Sequence, residues 1–200
     1  MKIDVPFFEN KANDCGPVAL QMVLAYFEKD ISLEKIKQTA AVEASGVTWT
    51  LGLAKAAAEQ GCKVAFYTTK LGAVHNNEYY QQHADMEHAP DKLKKLLTHC
   101  QTLGVVVKEE KLDLQTLLQH VTKTCIPIVL VDWNVIANKE GYLGHFLPLV
   151  GYDGDHVIVH QPGPQPTPFL TLDRELFDKA RKAKGTDEDV VVVSHGSDDV

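Results

Sequence analysis

Residues 144–163 read GHFLPLVGYDGDHVIVHQPG. Two apolar runs flank Asp153–Gly154, and both of those residues tolerate positive φ, so the stretch predicts an antiparallel hairpin. Upstream, IPIVLVD (126–132) is a near-continuous apolar run, as expected of a buried strand. Downstream comes a proline-rich loop, GPQPTP. Asp173 can then cap a helix over RELFDKARKA, and DVVVVS (189–194) closes the pattern as a strand. The first half of the chain reads differently. A helix is predicted over 15–27, with Val18, Met22 and Leu24 to Phe27 as its apolar face. Ser32 can cap a helix over 33–42. Thr48 or Thr50 can open another, running to Gln60 and stopped by Gly61. Strands CKVAFYT (62–68) and VVVKE (105–109) flank a helix over 90–103 that begins at Pro90 and ends at Gly104. Asp113 can cap a further helix over 114–122, and the polar stretch 76–88 admits a short one. Helices dominate the first half and antiparallel strands the second. That is an α+β layout, with a helical N-terminal half packed on an antiparallel sheet from the C-terminal half, rather than a doubly wound one.

The 200 residues, 44% of them hydrophobic, suit one domain spanning 1–200, with 195–200 expected to fray. A net charge of −7 argues against a nucleic-acid partner. No run is apolar enough to span a bilayer, and MKIDVPFFENKAND (1–14) lacks the apolar centre of a secretory signal, so no membrane partner is expected. The four cysteines, at 15, 62, 100 and 125, match no metal-binding spacing and read as reduced thiols of a cytoplasmic protein. Nothing in the composition bears on oligomeric state.

Chemistry is concentrated around NDCGPVALQMVLAYF (13–27). Cys15 precedes Gly16, Pro17 and a helical run, which places its thiol at a helix N-terminus. Free N–H groups and the positive end of the dipole stabilise a thiolate there. Gly16 would let the backbone approach a bound group. A buried cysteine packed beneath a helix is the structural alternative. His145 lies 130 positions downstream, at the start of the hairpin strand and after Gly144. That is a papain-type separation of nucleophile and general base. A third group should orient the imidazole. Gln161 on the partner strand is the choice, with Asp153 and Asp155 as alternatives and His160 packed or exposed. For the oxyanion, the Cys15 N–H is one donor. Asn10 is the chosen second, with Asn13 also able to donate and Glu9, when ionised, able only to accept. Cys15 and His145 are expected near hydrogen-bonding range of each other.

VPFFENKANDCGPVALQMVLAYF (5–27) followed by GHFLPLVGYDGDHVIVHQPG resembles the C39-like branch of papain-fold cysteine peptidases. Within that branch the chain resembles the guanylyl-cyclase-domain-containing, or guanylyl cyclase 2-like, family. VTWTLGLAKAAAEQG (47–61), NNEYYQQHADMEHAPDKLKKLL (76–97) and GTDEDVVVVS (185–194) extend the likeness in order over nearly the whole chain. The resemblance implies a papain-like fold, Cys15 as nucleophile and His145 as its base. A peptide, amide or acyl substrate would react through a thioester, with no cofactor. Where the family usually has Asp or Asn before the hairpin proline, this chain has Gln161. Where it usually has Gln six residues before the cysteine, this chain has Glu9. A non-catalytic relative with degraded support groups is therefore the alternative. The family name implies a nucleotide cyclase, but no Gly-rich phosphate loop is present, and GTDED (185–189) reads as a turn rather than a metal site.

Trp49 can line the cleft beside Cys15 or pack in the core. His75, His83 and His88 are spaced by 8 and 5, which is not a helical ligand pattern, and read as a solvated face; no metal is expected.

Overall fold

The computed structural model describes residues 1–11, 13–72 and 78–196. In order, the elements are α1 (Cys15–Tyr26), α2 (Leu33–Thr39), α3 (Thr50–Glu59), β1 (Lys63–Thr68), α4 (Glu78–His83), α5 (Ala89–Thr102), β2 (Val106–Glu109) and α6 (Leu114–Gln119). There follow β3 (Cys125–Asp132), α7 (Trp133–Ile136), β4 (Gly144–Tyr152), β5 (His156–Gln161), β6 (Thr167–Asp173), α8 (Arg174–Arg181) and β7 (Val190–Ser194). The architecture is mixed α+β around one seven-stranded sheet in the order β2-β1-β7-β3-β4-β5-β6.

The division into a helical half and a strand half is incomplete. β1 and β2 extend the sheet at one edge, and they pair parallel, Ala65 opposite Val106, while the other neighbouring strands run antiparallel. The intervening helix α5 supplies the crossover that a parallel pair needs. β3 and β7 are buried almost throughout, and α1 and α8 both pack on β3, so the middle of the sheet is covered on both faces.

The predicted caps form. Ser32 accepts from Lys35 N–H, Asp113 from Thr116 N–H, and Asp173 from the N–H groups of Glu175 and Leu176. Gly61 and Gly104 follow α3 and α5 with φ of +74° and +77°. The hairpin turn closes by Asp153 N–H donating to the His156 carbonyl at 3.1 Å. α1 departs from the one-sided pattern: every residue from Gly16 to Leu20 and from Met22 to Leu24 is buried, so it is a core helix. Two elements were not anticipated, α7 and the edge strand β6. Residues 197–200 of the expected frayed tail lie outside the described residues, whereas His195 donates its N–H to the Thr124 carbonyl at 2.9 Å.

The N-terminal residues run along the β4–β5 hairpin: Ile3 N–H donates to the Val150 carbonyl and Asn10 N–H to that of Pro162. His160 is fully buried; its Nδ1 accepts from Phe169 N–H, so Nε2–H donates to the Val5 carbonyl at 2.8 Å. The GTDED stretch is a turn, with Asp187 and Glu188 at φ of +47° and +54°. Glu188 faces the wholly buried Arg181 at 3.6 Å, and Arg181 also pairs with Asp178. Asp189 is buried against the hydroxyls of Thr50 and Thr68, and burial pushes its carboxyl up to about 7.

Gly52 fixes how α3 approaches the segment before it. A Cβ there would lie 2.2 Å from the Ala40 carbonyl oxygen. Gly52→Ala should therefore destabilise the fold by about 1–3 kcal/mol, even though alanine gains roughly 1 kcal/mol of helix propensity. Urea unfolding of the two proteins measures this; an unchanged or higher midpoint would refute the close contact.

Candidate active site

Cys15 is the first residue of α1, and Asp14 precedes it with a β-turn-like backbone and no side-chain cap. The Asp14 carboxylate instead meets Lys37 Nζ at 3.2 Å, while its N–H donates to Asn10 Oδ1. α1 lies against β4, and Gly16 is what permits the approach: a Cβ there would sit 3.0 Å from the Phe146 ring and 3.1 Å from the Thr48 methyl. The thiol is thus held beside the backbone of β4. Burial raises its pKa above the ordinary 9.0, while the N–H groups of Phe146, Gly16 and Cys15 itself pull it down and nearby Asp14 pushes it up. The expected stabilisation of a thiolate by the helix end is present, but desolvation outweighs it.

His145 follows Gly144 at the start of β4 and is 4% exposed. Its Nε2 lies 2.5 Å from Gln161 Oε1. That same oxygen accepts the N–H of Gly163 at 3.2 Å. A backbone N–H can only donate, so the amide must present oxygen rather than nitrogen to it. Oxygen then also faces the ring, the ring proton sits on Nε2, and Nδ1 keeps its lone pair. Burial drives the His145 pKa down from 6.5 to about 4, with the Gln161 bond acting in the other direction. Gln161 Nε2 is buried with no hydrogen-bond partner among the described residues.

Cys15 and His145 line one cavity of about 360 Å³. Among the described residues no hydrogen bond joins the Cys15 sulfur to the His145 ring. Of the other predicted residues, Asn10, Asn13 and Gly144 line this cavity, and Gln161 stands behind His145. Glu9 is exposed and is not among the lining residues. Gly16 is buried beneath the cavity as a packing residue. Trp49 is 3% exposed, donates Nε1–H to Glu43 at 2.8 Å and stacks on Tyr80. It belongs to the core, and its neighbours Thr48 and Tyr80 reach the cavity instead. Asp153 and Asp155 sit exposed at the hairpin tip. His75 lies outside the described residues; His83 and His88 share a surface recess with Asp85 and Glu43. Among the described residues no three His, Cys, Asp or Glu side chains are placed to hold a metal ion.

Several site residues escaped the sequence. Trp133 packs edge-on against the His145 ring at 5.4 Å, directly after strand β3. Its signal was available: β3 pairs with β4 so that Asp132 lies opposite Gly144. Tyr79 and Tyr80 of α4 form an aromatic wall, from a polar stretch with no readable period.

The arrangement places this chain in the class of C39-type peptidase folds. The peptidase domain of Streptococcus ComA, a bifunctional ABC transporter involved in quorum sensing, is 16% identical and superposes with a TM-score of 0.54, covering 94% of this chain and 96% of that one. A double glycine motif protease from an AMS/PCAT transporter, in complex with a leader peptide, is 21% identical with a TM-score of 0.53, covering 96% and 91%. A C39-like peptidase of Bacillus anthracis is 13% identical with a TM-score of 0.58, covering 96% and 97%. At these identities the likeness shows the fold alone. Residues 5–193 match the family described as Guanylylate cyclase, and the chain belongs to that family. Guanylyl cyclase 1 of Arabidopsis thaliana is 22% identical over 213 residues, covering 96% of this chain and 76% of that protein.

Because His145 is depressed to about 4, the folded chain binds fewer protons than the unfolded one between that value and 6.5. The corresponding stability is present above pH 6.5 and lost as pH falls towards 4. His145→Gln should flatten the fall of Tm across this window. His160, also depressed by burial, keeps part of the slope, and Asp189, shifted the opposite way, is common to both proteins. Superimposable slopes in the two proteins would show that His145 is not held neutral.

Proposed function

We propose that this chain is a cysteine-dependent hydrolase or acyl transferase of peptide-like substrates, with 1–200 acting as one domain. The carrying observation is that Cys15 and His145 open on one cavity while Gly163 N–H sets Gln161, and so leaves Nδ1 of His145 as the base. In this mechanism Nδ1 takes the Cys15 proton as sulfur attacks a carbonyl carbon. The oxyanion is met by the Cys15 N–H and the Asn10 amide. His145 returns the proton to the leaving amine, and water or a second amine resolves the thioester. Gln161 orients the ring. That one solved neighbour is a protease bound to a leader peptide supports a peptide substrate. No described helix is long and apolar enough to cross a membrane, and the four unpaired cysteines support a reducing, cytoplasmic setting.

Two other readings have an observation each. The family match and the Arabidopsis relative favour nucleotide cyclisation; incubation with GTP and a divalent cation, assayed for cyclic product, tests it. The raised Cys15 pKa favours a non-catalytic relative.

Acylation kinetics separate the first reading from the last. An acyl-directed electrophile should modify Cys15 faster than Cys62. His145→Ala should slow that reaction by about 10²–10⁴, and Gln161→Ala should slow it less. Equal rates at Cys15 and Cys62 in the wild type would remove the enzyme reading.

A further inference from the structure

The cavity around Cys15 carries the opposite charge to the chain that encloses it. Asp and Glu outnumber Lys and Arg by 27 to 20, yet no carboxylate is among the described residues lining this cavity. Among the described residues Lys11 is its one formally charged lining residue, because His145 is neutral near pH 7. The remaining polar side chains there are the amides of Asn10 and Asn13, the Thr48 hydroxyl and the phenols of Tyr79 and Tyr80. The acidic residue next to the thiol, Asp14, is absent from the lining and is paired with Lys37 at 3.2 Å. The N-terminal end of α1 adds its positive dipole at the same point.

A cationic group entering here would meet Lys11 and a helix N-terminus, with no carboxylate among the described lining residues and with Asp14 paired to Lys37. An anionic group would meet both favourably. Specificity is the difference between those two outcomes, and the cavity achieves it by excluding acids as much as by supplying a base. We propose that Lys11 selects substrates bearing a carboxylate close to the acyl group that is transferred to Cys15. The proposal rests on Cys15 being the nucleophile and names the substrate class for that site.

Two alkylating reagents of near-identical size test it without knowledge of the substrate. Iodoacetate carries a carboxylate and iodoacetamide a neutral amide. With either, the Cys15 sulfur bonds to the methylene carbon, iodide leaves, and the thiol proton passes to base. The ratio of their rates at Cys15, read by peptide mass spectrometry, cancels the thiol's own pKa. Divided by the same ratio for glutathione, it should be roughly 3 to 10 in the wild type. Lys11→Gln should bring it towards one, and Lys11→Glu below one. Raising salt to about 0.5 M should shrink it, since Lys11 is exposed and its field is screened. A wild-type value at or below one, or a value that Lys11→Gln leaves unaltered, overturns the proposal while Cys15 remains a reactive thiol. Failure of both reagents to modify Cys15, while they modify it in the unfolded chain, overturns the nucleophile reading and the proposal together.

Discussion

The close packing of α1 on β4 is the constraint from which the site follows. It requires no side chain at position 16, where a Cβ would press on both Phe146 and Thr48. With that contact made, Cys15 comes to rest against the N–H of Phe146, one residue from His145. The β3–β4 register then places Val131 opposite His145 and Asp132 opposite Gly144, which brings Trp133 over the ring. Asp132 locks this corner by accepting from both Asn134 and Leu143 N–H at 3.0 Å. A helix held even slightly farther out would separate the thiol from the strand that carries its partner.

Gln161 shows what such a site tolerates. Its oxygen serves two donors, Gly163 N–H and His145 Nε2–H, while its nitrogen is buried without a hydrogen-bond partner among the described residues. An unsatisfied buried donor costs about 1–3 kcal/mol. A carboxylate in its place would satisfy both donors, but would also favour the imidazolium and raise the ring's pKa. The amide therefore trades stability for a neutral imidazole with a fixed tautomer.

Much of this was legible in the sequence because it is governed locally. Ser32, Asp113 and Asp173 cap helices through their own side chains, and the apolar runs of β3, β4, β5 and β7 announce themselves. That Cys15 and His145 line one cavity was foreshadowed by residue type and separation. What was hidden depends on long-range contact. β6 follows a proline-rich loop, has mixed burial and is held by pairing with β5 rather than by its own pattern. The parallel pairing of β1 with β2 is decided by where α5 crosses. Asn10 was preferred to Glu9 on donor chemistry alone; where each lies depends on the bond from Asn10 N–H to the Pro162 carbonyl, and it is Asn10 that lines the cavity. Trp49 read as a cleft residue or, more often for such a side chain, a core residue, and the Glu43 acceptor and the Tyr80 ring assign it to the core.

Electrostatics also bear on how a reaction here would start. A preformed thiolate–imidazolium pair needs a low thiol pKa and a high imidazole pKa. Here burial moves both the other way: the thiol lies above its ordinary value and the imidazole near 4. The resting pair is thus thiol and neutral imidazole, and in the proposed mechanism the proton would cross only as sulfur attacks. Helix-end N–H groups and the Phe146 N–H would then stabilise charge as it develops on sulfur. In such a mechanism the bound substrate would align the carbonyl with the sulfur. This is why the cavity's own polarity, set by Lys11 and the absence of lining carboxylates, is where discrimination between substrates should reside.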